Sequence, residues 1–77
     1  MTTRGIYSRD GDLFGYLIGT GVYDLDENQV GTLRGNVILD RQGQEQWVLQ
    51  GDGVFTPRGE SVGYLGARFS EETPYRS

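Results

Sequence analysis

The chain has 77 residues, a formal net charge of −4, seven basic residues that are all arginine, and no histidine or cysteine. That length allows one small domain with a modest core, and without cysteine or histidine there are no disulfide staples and none of the usual zinc, haem or iron–sulfur ligand sets. The acidic balance argues against a general affinity for nucleic acid or anionic membranes, and no apolar run approaches the roughly 18 residues of a membrane-spanning helix.

Residues 1–4 are polar and are expected to fray. The segment MTTRGIYSRDGD lacks the charged-then-apolar pattern of a secretory signal, so a complete cytoplasmic protein is the expectation.

From Gly5 onward the chain repeats itself every 16 residues, with boundaries at 5–19, 20–35, 36–51 and 52–67. Each repeat opens with a short apolar run: Ile6-Tyr7, Val22-Tyr23, Ile38-Leu39, Val54-Phe55. A turn follows: Arg9-Asp10-Gly11-Asp12, Leu25-Asp26-Glu27-Asn28, Arg41-Gln42-Gly43-Gln44, Pro57-Arg58-Gly59-Glu60. Glycine in the third place supplies the left-handed backbone of a type I turn with a glycine bulge. In the second repeat Glu27 stands there, and the neighbouring Asn28 is expected to take the left-handed role. Ser8, Asp24, Asp40 and Thr56 precede the turns, where a side-chain oxygen can accept from a backbone N–H two residues on.

A second run comes next, at Phe14–Ile18, Val30–Arg34, Gln46–Gln50 and 62–66. Gly19-Thr20-Gly21, Gly35-Asn36 and Gly51-Asp52-Gly53 then turn the chain into the following repeat. Runs of this length, rich in β-branched and aromatic residues and bounded by Gly, Asp and Pro, read as strands. No window free of glycine is long enough for a helix. The expected fold is all-β: four hairpins, about eight short antiparallel strands, arranged with pseudo-fourfold symmetry around a central axis and closed or nearly closed. The domain spans 5–69, and the polar tail 70–77 is expected to be disordered.

Alternation sorts the second strand into faces. Leu17, Leu33, Leu49 and Leu65 recur without exception, and with Ile6, Val22, Ile38 and Val54 they form the expected core. Two residues before each leucine, on the same face, lie Gly15, Gly31, Trp47 and Gly63. If these positions converge on an axis, three glycines leave room for one tryptophan, so Trp47 is either a plug or an aromatic platform for a ligand. The opposite face carries Phe14, Val30, Gln46 and Val62, then Tyr16, Thr32, Val48 and Tyr64.

The four copies of G-[IV]-[YF]-D-x-x-G-x-x-V-G-x-L-x-G, over residues 5 to about 67, resemble the four-fold β-flower domain, a small β-repeat family of bacterial proteins. The resemblance implies four hairpin petals around an axis. It carries no shared activity onto particular residues. Repeat 3 departs from the pattern at Gln46-Trp47.

Chemistry is sparsely supplied. With no His, Cys or Lys the usual nucleophile–base pairings are absent, and the acids cluster at turns, so no enzymatic activity, cofactor or metal is expected. Asp24-x-Asp26-x-Asn28 imitates the start of a calcium loop, but Gln29 and Gly35 stand where Gly and Glu are required. Two readings remain. One is a non-catalytic module that binds another protein or itself through an aromatic β-surface drawn from Tyr16, Tyr64, Tyr7, Tyr23 and Phe55. The other is capture of a small ligand beside Trp47 and the tyrosines, with Arg34 meeting an anion, by analogy with phage-type inhibitors of defence signalling.

Overall fold

The computed structural model describes residues 2–67, 69 and 70, and its architecture follows from two kinds of turn. The turn inside each repeat is the same four times. Gly11, Glu27, Gly43 and Gly59 donate their N–H to the carbonyls of Ser8, Asp24, Asp40 and Thr56 at 2.8–3.0 Å. These four donors have φ of +92°, +69°, +84° and +93°. Side chains tie the same turns. The Asp24 carboxylate accepts from the N–H groups of Asp26 and Asn28. Asp40 does so from Gln42 and Gln44, Ser8 from Asp10 and Asp12, and Thr56 from Glu60.

Repeat 2 therefore differs from expectation. Glu27, not Asn28, is left-handed, because the turn's hydrogen-bond register fixes that position and overrides the preference of asparagine. A non-glycine residue there is strained by about 1–2 kcal/mol. Glycine's greater freedom in the unfolded chain offsets part of any relief. Glu27→Gly should accordingly raise stability by about 0.5–1 kcal/mol, read as a higher urea midpoint at unchanged slope, and a lower midpoint would contradict this account.

Between repeats, two-residue loops begin with Gly19, Gly35 and Gly51 at φ +61°, +63° and +59°, the type II′ geometry that matches strand twist. These turns join β1 (Thr2–Ser8), β2 (Leu13–Ile18), β3 (Gly21–Tyr23), β4 (Gln29–Arg34), β5 (Val37–Asp40), β6 (Glu45–Gln50), β7 (Gly53–Phe55) and β8 (Ser61–Leu65), with a short β9 (Phe69–Ser70). Every neighbouring pair is antiparallel. β1 pairs with both β2 and β8, so eight strands close into a barrel, and β9 extends the β8 side of β1 at Thr2 and Thr3.

Of the lead-in expected to fray, Thr2, Thr3 and Arg4 are instead strand, and Met1 lies outside the described residues. Thr3 pairs with Ile18 and Phe69 and is only 8% exposed, because β1 must be long enough to hold partners on both edges where the ring closes. Ser70, assigned from sequence to the tail, lies in β9; 71–77 fall outside the described residues.

The interior is built in layers. Ile6, Val22, Ile38 and Val54 each pair within their own repeat with Gly15, Gly31, Trp47 and Gly63. Across each repeat boundary Val22, Ile38, Val54 and Ile6 meet Leu17, Leu33, Leu49 and Leu65. Ile6, Leu17, Val22, Ile38, Val54 and Leu65 form the buried core, and Leu33 and Leu49 are partly buried against it. Ile38 and Val54 are fully enclosed.

A bulge corrects the sorting of faces. Between Ile6 and Tyr7, and at the equivalent place in the other repeats, the register slips by one. Phe14, Val30, Gln46 and Val62 are the unpaired residues. A bulged residue breaks alternation, and Phe14, Val30 and Val62 pack on the core instead of sharing the outer face with Tyr16 and Tyr64. Gln46 is exposed.

The interior glycines also have a cause other than crowding at an axis. A Cβ on Gly15 would stand 2.7 Å from the Tyr23 carbonyl oxygen, and one on Gly31 2.5 Å from that of Leu39. On Gly63 it would collide with the Tyr7 carbonyl. Each glycine lets the backbone of the following repeat approach closely.

Candidate interaction surface

Outside the barrel, the repeat period places one side chain from each of β1 to β8, aromatic or aliphatic except for Thr32 on β4, in a single belt. A ring two residues after a glycine on the same strand faces the same way and folds over it. Gly21 lies under Tyr23, Gly53 under Phe55, and Gly5 under Tyr7, with the ring Cε1 2.6–2.9 Å from where a Cβ would stand. In repeat 3 glycine and aromatic are replaced together by Val37 and Leu39. Such rings shield backbone that glycine leaves bare, so Tyr7, Tyr23 and Phe55 are half-buried and offer only their outer sides.

The belt is uneven. Tyr64 pairs across β8–β1 with Tyr7, and the two rings stack with centroids 5.4 Å apart at 12°. On the other edge of β1, Gly5 opposes Tyr16, which in turn opposes Tyr23 across β2–β3. Leu13 joins them, its Cδ1 2.9 Å from the place of a Gly5 Cβ. Four tyrosines thus occupy four adjacent strands, β8, β1, β2 and β3. Tyr64 is 42% exposed and its hydroxyl reaches the first turn beside Gly11. The other half of the belt carries Thr32, Leu39, Val48 and Phe55, linked by the pairs Thr32–Leu39 and Val48–Phe55.

Charge follows the same asymmetry. The two turns that end the tyrosine strands β1, β2 and β3 hold Asp10, Asp12, Asp24, Asp26 and Glu27 against the lone Arg9. Backbone N–H bonding, first from Asn28 and then from Asp26, together with the Arg41 charge, holds the Asp24 carboxyl below the ordinary carboxylate range. Asp24 therefore keeps its negative charge to lower pH than an ordinary carboxylate.

The remaining candidates lie elsewhere. Trp47 is inside the bulge end of the barrel, packed on the core and edge-on to Phe14 at 5.7 Å and 78°. The space beside it is about 60 Å³, room for about two water molecules and far below the roughly 300 Å³ of ordinary ligand pockets. Arg34 is exposed at the end of β4, opposite Val37, away from both Trp47 and the tyrosines. The tyrosines, Phe55, Trp47 and Arg34 therefore do not form one pocket. Among the described residues no group of acidic side chains is placed to hold a metal ion, and no helix is long and apolar enough to cross a membrane.

Sequence reasoning passed over Arg4. Its Nε donates to the Gly66 carbonyl and its Nη2 to the Asp52 carboxylate, both at 2.8 Å. The signal was available: positions 4 and 52 are equivalent in the repeat, and in a closed ring the first and fourth repeats are neighbours. A family model described as 4-fold beta flower protein matches residues 1–59. No curated protein and no solved structure matches the chain.

Proposed function

The chain belongs to the four-fold β-flower family, and on that scaffold we propose a non-catalytic interaction module whose tyrosine arc on β8, β1, β2 and β3 docks a protein partner. The observation that carries the proposal is the run of four tyrosines on four adjacent strands, with the Tyr64–Tyr7 stack outermost. Tyrosine contributes large contact area at low entropic cost and is enriched where binding energy concentrates. The acid-rich turns bordering the arc favour a cationic partner, whose guanidinium or ammonium groups can lie over the ring faces.

A library of displayed random peptides, selected on the immobilised chain and counter-screened on Tyr64→Ser and Tyr16→Ser, tests this reading. We expect cationic sequences whose binding falls at least about tenfold on either variant, the loss typical of a hot-spot residue. Light scattering over a wide concentration range separates a foreign partner from a second copy. A monomer at every concentration, with no peptide that distinguishes the wild type from the variants, overturns the proposal.

A further inference from the structure

At the end of the barrel away from Trp47, the leucine layer meets solvent. Leu17, Leu33, Leu49 and Leu65 floor an open cavity of about 270 Å³, with Thr2 and Arg4 at its rim. The Arg4 side chain is only 16% exposed, and the bond from its Nε to the Gly66 carbonyl fixes the guanidinium in place. Its counter-charge is Asp52, which is 72% exposed. A pair with so exposed a partner contributes little. Exchanging that partner for another carboxylate costs correspondingly little.

We infer that this mouth binds a small amphipathic carboxylate, its alkyl end on the leucine ring and its carboxylate on Arg4 in place of Asp52. The two halves of the site require the two halves of the ligand. The guanidinium matches a carboxylate in geometry and charge, and each methylene removed from water tightens binding by up to about fourfold. The volume lies just under the usual range for ligand pockets, so the ligand is small. The site is on the barrel's end and the tyrosine arc on its wall, so the two inferences stand or fall separately.

The test is titration of the full chain, with isotope-labelled leucine methyls, by sodium hexanoate, sodium acetate, 1-hexanol and hexylammonium chloride. Hexanoate should shift the methyls of the four leucines and bind at least about tenfold more tightly than acetate. It should also outbind hexanol and hexylammonium. Asp52→Asn, at an exposed position, should tighten hexanoate binding about threefold, the worth of a surface ion pair. Arg4→Gln should abolish the preference for hexanoate over hexanol. Because Arg4 also holds Gly66, Asp52→Asn decides the matter should Arg4→Gln not fold. Unshifted leucine methyls, hexylammonium binding as well as hexanoate, or no tightening by Asp52→Asn would each overturn the inference.

Discussion

Gly63→Ala should lower the free energy of unfolding by about 3 kcal/mol, the upper end of what overpacking costs. The added methyl would enter the space of the Tyr7 carbonyl, a backbone atom that cannot rotate aside. Relief requires parting β8 from β1, the seam at which the ring closes. A domain of this length has a total stability of about 4–12 kcal/mol at 0.05–0.15 kcal/mol per residue, so one methyl group would remove a large share of it. Urea unfolding with an unchanged slope and a lower midpoint is the expected signature. The same substitution should cost less at Gly31 and less again at Gly15, following 2.5 and 2.7 Å to their facing carbonyls. A Gly63→Ala protein as stable as the wild type would mean that β8 and β1 are not held at this separation in solution.

Trp47→Ala should cost about 2–3 kcal/mol, somewhat below the 3–5 kcal/mol of a fully enclosed tryptophan, because the side chain is half-buried. The loss has two sources. Truncation leaves the bulge end of the barrel unfilled beside Ile6, Val22 and Val30, and it removes the edge-to-face partner of Phe14. Trp47→Gly should be at least as costly. It restores the residue type of the other three repeats, yet those glycines are set by a nearby carbonyl and leave the space at the barrel's end unfilled. Denaturant midpoints of the two variants measure this directly. Unchanged midpoints would identify Trp47 as a surface side chain and return it to the pool of ligand-contacting candidates.

Much of the fold was legible because turn chemistry is local. Gly19, Gly35 and Gly51 are needed for their backbone angles wherever the strands lead, and the side-chain oxygens of Asp24 and Asp40 find N–H groups within their own turns. The invariant leucines pointed to the core by alternation alone. What alternation could not supply was the bulge: Phe14 is apolar whichever way it faces, and only the slipped partner of Tyr7 shows that it turns inward. Glu27 was misread for a related reason, since the turn's hydrogen bond selects a position and not a residue type.

The candidate surface was legible in its parts but not in its grouping. Gly21-x-Tyr23 and Gly53-x-Phe55 are visible as letters. That each ring lies on its own glycine follows only once both are placed on one outward face. The adjacency of Tyr64 and Tyr7, 57 positions apart, depends on ring closure, and so does the meeting of Arg4 with Asp52. Contacts between the first and last repeats are the ones a linear reading misses.

That closure has a consequence for biosynthesis. The first strand's second partner, β8, is encoded three repeats downstream, so a nascent chain cannot complete its ring until Ser61–Leu65 has left the ribosome. Until then the finished hairpins form an open ribbon, with the outer edge of β1 bare and Ile6 without Leu65 across from it. Such an edge is a template for pairing with other chains. Translation that stalls within the fourth repeat releases a species prone to aggregate, and the codons of that repeat decide whether the rest of the work was useful.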